Sequence, residues 1–186
     1  MGKAEKSDVV DLLLGQHRHI KDLFAAVDKV SNTKERQERF EELRRFLAVH
    51  ETAEELVTHP RARLVEGGND VVDARLEEET ASKKLLASVD GMKVDDPSFD
   101  SRFQALKKKV LDHAAAEERE EFPLLRQSSD IQLTLMAQAI RAAEAIAPTH
   151  PHPSAGSAMT TNLMVGPLAS VIDRTRDVVT AVMRGS

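Results

Sequence analysis

Two segments of the chain carry ionisable side chains at spacings that suit a metal ion. HETAEELVTHP runs from His50 to Pro60, and HAAAEEREEFP runs from His113 to Pro123. They share His, Ala, Glu, Glu and Pro at the same offsets. On a helix, residues four apart lie about 40° round and one turn up the same face. His50 and Glu54 therefore project together, as do His113 and Glu117. An imidazole nitrogen beside a carboxylate oxygen is a donor set for zinc, manganese or iron. A lone His-x-x-x-Glu is most often an exposed ion pair, so its position in the apolar pattern has to decide.

That pattern is helical throughout. The first segment, from a cap near Ser7 to about Ser31, has a seam of Val10, Leu13, His17, Ile20, Phe24 and Val27. The 3-4-3-4-3 spacing is that of a bundle helix. The second, capped near Thr33 and reaching towards Pro60, repeats it with Phe40, Leu43, Leu47, His50, Glu54 and Val57. After an EGGND turn, a third segment from about Asp70 to Val89 carries Val72, Leu76, Glu79, Leu86 and Val89. A fourth, with Pro97 in its first turn, runs to about Arg126 along Phe103, Leu106, Val110, His113 and Glu117. A fifth spans roughly Asp130 to Ile146. The Pro- and Ser-rich stretch from Ala147 to Ser157 reads as a linker. A last amphipathic segment, roughly Pro167 to Met183, either docks on the bundle or mediates self-association. Short connections join antiparallel neighbours, so the expected fold is all-α: an up-down-up-down four-helix bundle over residues 1–128, with a C-terminal helical extension over residues 129–186.

The seams place His17, His50, Glu54, His113 and Glu117 where a core belongs. A buried carboxylate costs several kcal/mol unless it is compensated. No Lys or Arg shares these seam positions, so a pair of cations would supply the missing charge. The other ionisable groups read differently. His19 sits on another face, and the EEREE run is mostly solvated, with Glu117 alone aligned. His59, beside Pro60, reads as a packing or helix-end residue, and His150 and His152 lie in the linker. The repeat adds a sixth candidate. His50 and His113 are 63 residues apart, and nearly the same step from His17 reaches Glu79. QHRHIKDLF and EETASKKLL share a polar start and an apolar end. The first two helices thus look like a diverged copy of the next two.

Composition excludes much else. The chain has 186 residues and no cysteine, so thiolate chemistry and disulfides are absent. A net charge of -5 gives no basic footprint for nucleic acid. There is no apolar run long enough to cross a membrane and no secretory leader pattern, so a cytoplasmic location is expected. No histidine has a glutamate three residues before it, which argues against the Glu-x-x-His sites of ferritin-like bundles.

With these residues in view, the chain resembles the hemerythrin-like, or HHE cation-binding, family, whose pattern is H…HxxxE…H…HxxxE over a four-helix bundle. LLLGQHRHIKDLF, HETAEELVTHP, RLEEETASKKLL and HAAAEEREEFPLL carry the resemblance, in order, over roughly residues 7 to 127. It implies a non-haem centre of two iron ions with an oxo or hydroxo bridge. Glu54 and Glu117 would bridge the metals, with His17 and His50 on one side and His113 with Glu79 on the other. The departure is Glu79, which stands where the family has histidine; Glu51 and Glu78 are neighbouring alternatives. Three histidines with three carboxylates form a hard, anionic set, which favours ferric iron over reversible O2 carriage. The resemblance implies a protein that binds or reacts with O2, peroxide or nitric oxide. The alternatives are a non-enzymatic iron-binding or iron-responsive protein and a helical interaction module without metal.

Overall fold

The computed structural model describes residues 8–146 and 168–184. Helix α1 (Val9–Lys29) starts at Asp8, whose carboxylate accepts the Asp11 amide at 2.9 Å. Ser7, the expected cap, lies outside the described residues, as do the linker and its His150 and His152. Helix α2 (Thr33–Ala62) is capped by Asn32 rather than Thr33. The Asn32 side chain accepts the Glu35 amide at 3.0 Å, and Thr33 is the first helical residue. Helix α3 (Gly68–Val89) is followed by α4 (Phe99–Ala116). Pro97 precedes the capping position, Ser98, instead of entering the first turn. Helix α4 does not run on unbroken to Arg126. It passes through a π-helical turn, Glu117–Glu121, into the short α5 (Phe122–Leu125). Helices α6 (Asp130–Ile146) and α7 (Leu168–Arg184) complete the described chain.

Helices α1 to α4 form a closed ring, each packed on its sequence neighbour, with α1 returning to α4. Helix α6 lies against α2 and α1, and α7 against α2 and α6. The described part of the last helix therefore docks on its own bundle. Helix α2 is consequently covered from two sides, and none of its residues between positions 43 and 59 is exposed.

The bundle interior is not one continuous apolar core. One cluster gathers Ile20, Phe24, Phe40, Leu43, Phe99 and Phe103. Its rings pack closely, with Phe40 edge-on to Phe99 at 4.9 Å and Phe103 stacked on it at 5.5 Å. The second gathers Val10, Leu13, Val57, Phe122 and Leu125 with Leu133 and Ile140 of α6. Each such side chain stabilises the fold by about 1.5–3 kcal/mol when fully buried. Between the two clusters lies a polar layer. Every candidate seam residue on α1, α2 and α4 is buried, so the helical period placed the layer correctly.

The α2–α3 connection fixes how these helices meet. Gly67 sits at φ 76°, where a side chain is strained. At Gly68 a β-carbon would lie 1.9 Å from the Ala62 carbonyl oxygen, so the turn closes only around glycine. Gly68→Ala is expected to cost about 1–3 kcal/mol, lowering Tm by roughly 3–10 °C in a calorimetric scan. A Tm within one degree of the parent would contradict the close approach.

Candidate metal centre

The polar layer brings together all six candidates: His17 from α1, His50 and Glu54 from α2, Glu79 from α3, His113 from α4 and Glu117 from the π turn. Each is at most 4 % exposed. His17, His50, Glu54 and Glu117 each offer a donor atom within 4.8 Å of the others. Glu79, His113 and Glu51 do the same on the other side. The direct contacts are close: His50 Nε2 to Glu54 at 3.2 Å, and His17 Nε2 and His113 Nε2 each to Glu117 at 3.3 Å.

The outer ring nitrogens explain which atoms face inward. His17 Nδ1 donates to Glu118 at 2.9 Å, His50 Nδ1 to the Gln16 carbonyl oxygen at 2.7 Å, and His113 Nδ1 to Glu78 at 3.1 Å. Oxygen acceptors on Nδ1 fix the tautomer and leave Nε2 as the atom turned to the layer. There the hydrogen bonds stop. His17 Nε2, His113 Nε2, both Glu54 oxygens, Glu117 Oε2 and Glu51 Oε2 are buried without a hydrogen-bond partner. A native interior leaves only a few such groups per hundred residues, each costing about 1–3 kcal/mol, and here six converge in one layer. Several converging lone pairs of nitrogen and carboxylate oxygen are the donor set of a transition-metal ion. The residues fit the group.

The electrostatics agree. Burial, reinforced by Glu117 and Glu51, holds the Glu54 carboxyl well above the usual range. Burial also pushes Glu51 up to about 8, and burial with the nearby His17 pushes His50 down to about 3. Glu117 is the exception. Burial opposes its charge, but the His113 and His17 imidazoles hold it below the usual carboxylate range. Without a cation the layer thus avoids charge on Glu54 and Glu51.

Two residues that the seam count leaves out belong to this layer. His59 does sit in the last turn of α2, and it is 3 % exposed. Its Nδ1 donates to Glu121 at 2.8 Å and its Nε2 to Glu79. Burial opposes its charge, but these two carboxylates push it up to about 10, so it is an internal cation with no free lone pair. Glu121 is 1 % exposed, so Glu117 is not the only inward residue of EEREE. The π turn accounts for the register. Five residues on from Glu117, an α-helix would turn Phe122 about 140° off the face. The wider turn, with the Phe122 amide donating to the Glu117 carbonyl, returns it inward.

The repeat supplies the signal that would have found His59. A step of 63 pairs His59 with Phe122 and Glu55 with Glu118, and a step of 62 pairs Gln16 with Glu78 and His17 with Glu79. Gln16 holds His50 as Glu78 holds His113. His17 stacks on Phe122 at 5.4 Å and binds Glu118. At the matching place, Glu79 meets His59 instead of a phenyl ring. Lys83 bridges Glu79 to Glu55, where His17 touches Glu118 directly. The change from imidazole to carboxylate at position 79 is thus matched by two cations. Burial opposes the charge of Glu79, but His59 and Lys83 outweigh it and hold its carboxyl low.

The compensation is testable on the metal-free protein. His59→Phe strands buried carboxylates and is expected to cost about 3–5 kcal/mol. Adding Glu79→His should recover about 1 kcal/mol or more through coupling in a double-mutant cycle followed by denaturant melts. Strictly additive effects would break the link between the two positions.

Comparison with known proteins places this geometry in a family. The hemerythrin HHE cation binding domain model matches residues 8–125. An uncharacterised hemerythrin-like protein of Schizosaccharomyces pombe is 28% identical over 134 residues, covering 70% of this chain and 66% of that protein. A Nostoc protein named a DNA nickase is 28% identical over 133 residues, covering 70% of this chain and 38% of its own length. The chain thus spans just under two thirds of the first relative and little more than a third of the second. A solved hemerythrin HHE cation binding domain-containing protein from Mycobacterium kansasii superposes with TM-score 0.65 at 17% identity, covering 95% of this chain and 99% of that one. The chain belongs to the hemerythrin HHE cation-binding domain family.

Proposed function

We propose that the polar layer holds two iron ions and that the protein binds or reacts with O2, peroxide or nitric oxide. The observation that carries this reading is the set of inward atoms without partners: Nε2 of His17 and His113, whose Nδ1 atoms are already held, facing both Glu54 oxygens and Glu117 Oε2. Glu117 contacts His17 of one half and His113 of the other, and Glu54 lies beside it with His17 and His50; the two carboxylates would be shared by the metals. His17 and His50 would hold one ion, and His113 with Glu79 the other, with Glu51 as a further oxygen donor beside them. A bound iron pair supplies redox equivalents and an open coordination position for a small ligand. The chain orients the imidazoles through Gln16, Glu78 and Glu118 and keeps bulk water out between two apolar clusters.

A second reading, a non-enzymatic iron-responsive protein, draws on the state of Glu79. Both its oxygens are engaged, by His59 and Lys83, so the second half of the layer is partly neutralised before any metal arrives. Unequal loading of the two positions would suit a protein that reports iron supply.

Purified protein is expected to carry about two irons per chain, with ferric absorption in the near ultraviolet. His113→Ala and Glu117→Ala should each lose metal and melt lower, while His152→Ala should change neither. Equal metal content in all three would reject the assignment. Mixing the reduced protein with O2, peroxide and nitric oxide then separates turnover from stoichiometric binding.

The metal should also reverse the pH dependence of stability. Glu51 and Glu54 are raised, and Glu117 and Glu78 outweigh burial to push His113 up to about 10, as Glu121 and Glu79 do for His59. For Glu51, His113 and His59 the folded metal-free chain binds more protons than the unfolded one between pH 6.5 and 8; His50, which burial pushes down to about 3, opposes them only near pH 6.5. The chain's stability therefore falls as pH rises through that window, by up to about 1.4 kcal/mol per unit for each group. Metal ligands must shed those protons, so loading tightens over the same window. The Tm difference between loaded and metal-free protein should widen from pH 6.5 to 8 in paired calorimetric scans; a constant gap would rule this out.

A further inference from the structure

The four histidines buried among the described residues hold their rings in one way. Each turns Nδ1 to an oxygen acceptor behind it: His17 to Glu118, His50 to Gln16, His113 to Glu78 and His59 to Glu121. Each turns Nε2 to a carboxylate of the polar layer: His17 and His113 to Glu117, His50 to Glu54 and His59 to Glu79. An acceptor on Nδ1 is what fixes a metal-binding imidazole with Nε2 inward. His19, by contrast, is exposed and packs edge-on against Phe46.

The surroundings of His59 are those of a donor. A ring nitrogen of His59, a Glu117 oxygen and a Glu121 oxygen lie within 4.8 Å of one another. Glu117 Oε2 and Glu121 Oε2 are both buried without a hydrogen-bond partner. The repeat points the same way. The first half of the layer has two imidazoles, His17 and His50, with the Phe122 ring stacked on His17. In the second half Glu79 stands at the place of His17, and His59 at the place of Phe122. The imidazole has moved from one helix to its neighbour without being lost. A counter-ion for Glu79 need only be a cation, and Lys83 already supplies one. An imidazole can in addition shed its proton and bind a metal.

We propose that His59 is a fourth imidazole ligand, which would hold the ion on the Glu79 and His113 side through Nε2, with Glu121 as the acceptor that orients it; this rests on the proposed metal centre. On loading, His59 releases to solvent the Nε2 proton that it donates to Glu79, and keeps its Nδ1 proton on Glu121.

The test compares the full chain with His59→Phe, and with His59→Phe combined with Glu79→His, which rebuilds the imidazole–phenyl pair of the first half. Each is titrated with iron(II) in the absence of oxygen. The parent is expected to hold about two irons per chain. His59→Phe should lose about 100-fold or more in affinity for the second, since even the groups that orient a ligand are worth about 10- to 100-fold. The double variant should recover it. Were His59 only a counter-ion, its removal would free Glu79, and the second iron would bind as tightly or more tightly; that result overturns the proposal. A second readout needs no variant. In the cobalt(II)-loaded parent, each ligating imidazole with a held Nδ1–H gives one strongly shifted proton NMR signal that D2O removes. Four such signals are expected, and three would overturn the proposal even where His59→Phe fails to fold. Two irons per chain with three signals leaves the metal centre standing and removes His59 alone. A parent chain that takes up neither iron nor cobalt removes both.

Discussion

Glu54 and Glu117 are carboxylates held between two apolar clusters, with no lysine or arginine beside them on the seam. Much of the surrounding structure answers that one excess of negative charge. Three imidazoles turn Nε2 towards it, and each is anchored behind by an oxygen acceptor drawn from a different helix. Buried Arg75 binds both Glu78 and Glu120, which steadies the carboxylate that holds His113. The arrangement orders the donors before any ion binds, as a preorganised site must. Its cost is borne by the apolar clusters on either side, which would otherwise be continuous.

Helix α2 shows how the rest of the chain serves that layer. It carries His50, Glu51, Glu54 and His59, and it is enclosed by α1 and α3 on one side and by α6 and α7 on the other. A helix packed on both sides has little freedom to rotate, so the direction of these side chains is fixed by packing. The same enclosure weakens its amphipathic pattern. Periodicity marks its bundle face but gives no account of why Val49 and Thr52, off that face, are buried as well.

The seam residues were legible because an unbroken α-helix has one period, and His17, His50, Glu54, His113 and Glu117 obey it. Glu121 and Phe122 were not, because the period changes at the π turn, and nothing in EEREE announces an extra residue per turn. Pro123 was the nearest hint, since it lacks the N–H that an α-helix would need there. The cap at Asn32 was missed by a single position, because Asn and Thr both cap and stand side by side. His59 was hidden for another reason. Its role depends on Glu79, a contact between helices that only the 63-residue repeat, pairing His59 with Phe122, hints at.

That contact bears on how the two halves of the layer divide their work. The first half keeps its symmetry-related parts: His17 on Phe122, with Glu118 behind it. The second half has exchanged an imidazole for Glu79 and recovered neutrality with His59 and Lys83. On the proposed reading, an ion entering the first half meets donors with no other partner. An ion entering the second must first draw Glu79 away from two cations, unless Glu51, whose Oε2 is free, takes its place. The internal repeat would then have become a functional asymmetry.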